Sequence, residues 1–117
     1  MTEIQKFDYN NTTVPRNIIS VLKKLKYDLL RIGAVKQIIL FGSYSKGTYD
    51  KNSDIDIAVF VDDSAKETMH DIFRKAQRCT VHYVLDIQIL IFSNSMLAEP
   101  AGIVEEIVLY GKDITFL

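Results

Sequence analysis

Apolar residues recur along this chain with two periods, and each change of period marks a new element. Ile18, Leu22, Leu25, Leu29 and Ile32 are spaced 4, 3, 4 and 3 residues apart, which predicts an amphipathic helix. Pro15 suits its first turn, and Gly33 is placed to close it in a left-handed cap. "KQIILFG" then reads as a short buried strand. "SDIDIAVFV" alternates, with Ile55, Ile57, Val59 and Val61 on one face and Asp54, Asp56, Ala58 and Phe60 on the other. Over residues 65–82 the period returns to that of a helix through Met69, Ile72, Phe73 and Ala76. "VLDIQILIF" is a third strand, with Leu85, Ile87, Ile89 and Ile91 opposite Asp86 and Gln88. "AGIVEEIVLY" fits a last helix that aligns Ile103, Ile107 and Tyr110 and ends at Gly111, and "DITFL" is a β-like tail suited to an edge strand. Residues 1–14 read as a loose arm.

The segment joining the first two strands is too short for a right-handed crossover, so an antiparallel or mixed sheet with helices on one side is expected. A chain of 117 residues without repeats or Pro/Gly-rich linkers predicts one domain over 1–117. Hydrophobic residues at 48% and charged residues at 25% are ordinary for a globular protein. Fourteen basic and fifteen acidic side chains leave a net charge of −1, so no global basic field argues for nucleic acid, and no direct nucleic-acid binding is expected. The basic residues of the first helix read as a solvated face. The single cysteine, Cys79, excludes an internal disulfide and fits a reducing cytoplasm. No run approaches the ~18 apolar residues of a membrane span.

Charge patterning changes the picture at one place, "LFGSYSKGTYDKNSDIDIAVF". Asp54 and Asp56 project from one strand face, about 7 Å apart along the chain, inside an otherwise apolar segment. A carboxylate there is costly unless it is paired or coordinates a metal. Mg²⁺ takes one or two carboxylates, with phosphates and waters completing its shell. If the strands are neighbours, Asp86 joins them as a third carboxylate, a number that suits a two-metal phosphoryl-transfer site. Gly42 and Ser43 supply a turn whose backbone can approach an anion, and Lys46 and Gly47 lie on that turn, the lysine able to offset polyphosphate charge.

"FGSYSKGTYDKNSDIDIAVF" resembles the Gly-Ser-x10-Asp-x-Asp signature of the DNA-polymerase-beta-like nucleotidyltransferases. The short chain resembles their minimal nucleotidyltransferase (MNT) branch, which includes the antitoxins of HEPN/MNT toxin–antitoxin pairs. The resemblance covers residues 18–112. It implies a polymerase-beta-like α/β fold of the α+β type, a twisted mixed β-sheet flanked by helices. It also implies transfer of AMP from ATP to a hydroxyl, with two Mg²⁺ ions as cofactors. Gly42 and Ser43 would hold the triphosphate, Asp54 and Asp56 would bind both ions, and Asp86 would bind the catalytic ion and act as general base. Lys46 stands where the family often has arginine, which keeps the charge but loses the bidentate fork. The implied partner is a HEPN toxin carrying a tyrosine acceptor, and a homodimer is a second partner to test.

Two other functions stay open on the sequence: a stoichiometric antitoxin that neutralises by binding, and transfer to a small-molecule hydroxyl. The latter is disfavoured because such enzymes carry an added helical domain. His70 and His82 stand apart from ligand spacing. Met69 and Phe73 read as core, Asp62 and Asp63 as a strand-ending turn or a cap of the following helix, and Glu105 and Glu106 as solvated helix positions. Tyr44 and Tyr49 flank the turn, where a nucleotide base or solvent would meet them.

Overall fold

The computed structural model describes residues 3–117. The predicted first helix is α1 (Arg16–Leu30), and its buried residues include Ile18, Leu22, Leu25 and Leu29, four of the five positions in the sequence stripe. Pro15 is its N-cap, in extended backbone one position before the first turn. Gly33 does not cap it. The helix ends on Arg31 in right-handed geometry, its N–H donating to the Asp28 carbonyl and the Ile32 N–H to that of Leu29, and the chain turns without a positive φ.

The strands are β1 (Gln5–Lys6), β2 (Val35–Phe41), β3 (Ile55–Val61), β4 (Ile87–Ser93) and the two-residue β5 (Lys112–Asp113). They form one five-stranded mixed sheet in the order β1-β5-β2-β3-β4. β2 pairs antiparallel with β3, and β3 parallel with β4. The tail strand β5 is internal, held between β1 and β2, where an edge position was expected. Within the expected arm, β1 pairs parallel with β5, the Phe7 N–H donates to the Asp113 carbonyl over 2.9 Å, and Val14 is buried.

Alternation along the strands sorts side chains onto two faces, and both faces are covered. Ile38, Leu40, Ile55, Ile57, Val59 and Ile89 pack under α1 and under α3 (Met69–Arg78) through Ile72 and Ala76. Ile39, Phe41, Ala58 and Phe60 on the reverse side pack against Val104, Ile107 and Val108 of α4 (Ile103–Tyr110). The expectation of helices on one side fails because Ala58 and Phe60, which share the aspartates' face, are too apolar to be left in water. Two helix stripes also need correction. α4 buries Val104 and Val108 beside Ile107 and leaves Ile103 and Tyr110 exposed, and Met69 at the start of α3 is exposed. No helix among the described residues is long and apolar enough to cross a membrane.

Candidate active site

The site is built where β2 stops. Phe41 lies opposite Asp56 in the β2–β3 register, so Gly42 and Ser43 leave the strand directly beside the aspartates. Gly42 has φ 74° and ψ −152°, a region that only glycine adopts at low cost. A Cβ on it would fall under 3.0 Å from the Asp56 Oδ2 and 3.1 Å from Cγ. Glycine is required twice over, once for the backbone and once for the carboxylate lying against it. Ser43 then opens the short α2 (Ser43–Lys46), in which the Lys46 N–H returns to the Gly42 carbonyl over 3.0 Å. Gly47 closes that turn at φ 78° as a left-handed cap, and the Thr48 N–H beyond it donates to the Ser43 carbonyl over 3.0 Å.

Asp54, at the mouth of β3, and Asp56, on it, share a face by strand alternation, the face that α4 covers farther along. Asp86 stands one residue before β4, and its carbonyl accepts the Ile55 N–H over 2.9 Å. Because Ile55 pairs with Ile87, Asp86 comes to the end of its strand beside Asp54. Among the described residues, Asp54, Asp56 and Asp86 take part in no ion pair, and the four ion pairs present lie elsewhere. Burial, and next the negative charge of Asp54, raise the Asp56 carboxyl above the ordinary carboxylate range. Two like charges without a counter-ion, one of them half-buried, fit a cation that arrives with its ligand. Among the described residues no three His, Cys, Asp or Glu side chains are gathered tightly enough to hold an ion by themselves. Mg²⁺ needs only one or two protein carboxylates when phosphates and water supply the rest, so the donor set fits it.

The turn's lysine is differently placed than the sequence suggested. Lys46 Nζ pairs with Glu106 Oε1 at 2.5 Å and lies 5.2 Å from the centre of the Tyr110 ring. Ser45 Oγ donates to the Tyr110 carbonyl, so α2 is tied to the end of α4 by three contacts. Glu106 is therefore more than the solvated position expected of it. Sixty residues separate it from Lys46, so no local pattern could have joined them. Tyr44 and Tyr49 stack on one another with ring centres 4.6 Å apart, Tyr44 buried and the Tyr49 hydroxyl donating to the Thr13 carbonyl. Both brace the turn and the N-terminal segment. Asp62 accepts from the Ser64 N–H at 2.9 Å, the strand-ending turn read from the sequence, while Thr68 caps α3.

A family model described as nucleotidyltransferase domain matches residues 22–110. A relative in Methanocaldococcus jannaschii, provisionally named a protein adenylyltransferase, is 30% identical over 101 residues, covering 83% of this chain and 98% of its own. A solved toxin–antitoxin structure with AMP-PNP superimposes with TM-score 0.52 and 29% identity, over 82% of this chain and 68% of that one. A provisionally named nucleotidyltransferase of Sulfolobus solfataricus, 19% identical over 68% of this chain and 73% of its own, shares the fold at TM-score 0.51. The matched span runs from inside α1 to the last residue of α4 and takes in the glycine–serine turn and all three aspartates, so the chain belongs to the nucleotidyltransferase domain family and is an enzyme of that class.

Proposed function

We propose that the protein moves AMP from ATP to a tyrosine hydroxyl of a partner HEPN toxin, in a Mg²⁺-dependent reaction that silences the toxin. The observation that carries this reading is the pair Asp54–Asp56, without a counter-charge, held against Gly42 beside the glycine–serine turn. The provisional name of the 30% identical relative supports a protein as acceptor, and the toxin–antitoxin with AMP-PNP supports both the nucleotide and the kind of partner.

In this reaction the acceptor oxygen forms a bond to the α-phosphorus as the bond to the β-phosphate's bridging oxygen breaks. Pyrophosphate leaves and the hydroxyl proton passes to Asp86. Gly42 and Ser43 hold the triphosphate by backbone approach and hydroxyl donation, and Lys46 exchanges Glu106 for phosphate oxygen. Asp54, Asp56 and Asp86 would hold two Mg²⁺ ions, which supply charge neutralisation for the reacting phosphate. The residues otherwise act by positioning.

The test is incubation of the folded chain with a HEPN partner, Mg²⁺ and ATP labelled on either the α- or the γ-phosphate. Tyrosine-linked label from the α-position alone, abolished by chelation, is expected. Label from the γ-position, or no label on the partner, overturns the reading.

A further inference from the structure

The largest cavity among the best-formed ones lies away from the candidate active site, between the C-terminal half of α1 and the end of α3, with a volume of about 750 Å³. Its charged lining is Lys24, Asp28, Arg31, Lys75 and Arg78, four cations to one anion, on a chain whose net charge is −1. Lys24 is neutralised by Asp28 at 2.9 Å and Lys75 by Glu67 at 2.6 Å. Arg31 and Arg78 are exposed and enter no ion pair among the described residues. Arginine loses less hydration than lysine on docking and presents a planar fork to carboxylates, which suits it to interfaces.

The wall of this cleft continues into residues 79–86, and that segment carries exposed aliphatic surface: Val81 is 70% exposed, Val84 fully, and Leu85 partly. Tyr27 and Leu30, in the last turn of α1 just before Arg31, add further exposed apolar surface. Tyrosine and unpaired arginine beside apolar side chains are the composition of a protein interface. The same tyrosines could stack a base, but two unpaired cations are few for a phosphate backbone, which is held by several. The segment ends at Asp86. Tyr83 lines the cleft, and three residues of chain span at most about 11 Å. Although the cleft lies on the α1 and α3 face of the sheet, its Tyr83 end therefore comes within that distance of Asp86 at the start of β4.

We infer that this basic and aliphatic surface docks the acceptor protein, through an acidic patch that lies near the acceptor's reactive hydroxyl. The inference rests on the proposed transfer to a protein hydroxyl, but docking can be measured without transfer. The probe is a fluorescein-labelled random copolymer of glutamate and tyrosine, titrated with the chain without nucleotide and followed by anisotropy. The wild type binds it, and Arg31→Glu/Arg78→Glu raises its Kd by about tenfold or more. Arg16→Glu/Lys66→Glu, an equal charge change outside the cleft, leaves it within about twofold. ATP binding is the same in all three. Arg31→Gln/Arg78→Gln, whose melting temperature serves as the folding control, gives a smaller loss in the same direction. No binding by the wild type, equal losses in the two charge-reversed proteins, or preferential binding of a single-stranded RNA of the same charge overturns the inference. Should the copolymer bind as expected while no label from ATP reaches any tyrosine, the transfer reading fails and the docking surface stands.

Discussion

Gly42→Ala tests the geometry on which the site depends. The substitution adds one methyl group to a residue held at φ 74° and ψ −152°, where an L side chain costs about 1–3 kcal/mol in backbone strain. The same methyl would meet Asp56 under 3.0 Å from Oδ2, 3.1 Å from Cγ and 3.3 Å from Cβ, where ordinary contact begins at 3.4 Å. The carboxyl group must therefore retreat, and a displacement of about 1 Å in a positioning group costs about 10²-fold in rate. We expect a stability loss of about 2 kcal/mol, read by urea unfolding, and a fall in AMP transfer of about 10²-fold. The two costs separate in a double-mutant cycle with Asp56→Gly: removing the Asp56 side chain relieves the clash but not the strain, so the stability effects are non-additive. Strict additivity would show that Gly42 and Asp56 do not touch. Unchanged stability and unchanged transfer in Gly42→Ala would refute the reasoning outright.

Other outcomes follow from single contacts. The Asp56 carboxyl is raised by burial and by Asp54, so its contribution to stability is fully present only below its unfolded-state pKa and is lost as pH rises through the folded-state value. Asp56→Asn therefore raises the melting temperature at pH 7 by a few degrees, the gain shrinking in acid, while AMP transfer disappears. Glu106→Gln releases Lys46 from its partner and lowers the Kd for ATP severalfold by calorimetry, and Lys46→Ala raises it. Identical affinities in both variants would remove Lys46 from the triphosphate site. Thr68→Ala deletes the acceptor of the Asp71 N–H at 3.1 Å and costs about 1 kcal/mol in urea unfolding, with ATP affinity unchanged.

The sequence carried the elements whose cause is local. The stripe from Ile18 to Leu29 is one face of α1, and the alternation of β3 sorts its residues onto the two cores. The glycine–serine turn and Asp54–Asp56 were legible for the same reason: a strand, its terminating glycine and the charges in the next strand lie within a short stretch. What escaped depends on partners distant in sequence. β1 and β5 have two residues each, and they form because β5 pairs with the distant β2 on one side and with β1 on the other. The buried face of α4 departs from the stripe through Ile103 and Tyr110 because it is chosen by Ala58 and Phe60, not by the helix's own periodicity. Gly33 looked like a cap, but the first helix had already ended on Arg31. Lys46 read as a phosphate ligand from its place on the turn, and only the fold reveals Glu106 in its reach.

The most direct measurement compares the folded wild type with Asp54→Asn/Asp56→Asn in the presence of Mg²⁺, α-labelled ATP and a HEPN partner, mapping any label by mass spectrometry. The account predicts one AMP on a partner tyrosine with the wild type and none with the variant. Equal labelling by both proteins would contradict it, because the paired carboxylates would then have no part in the transfer.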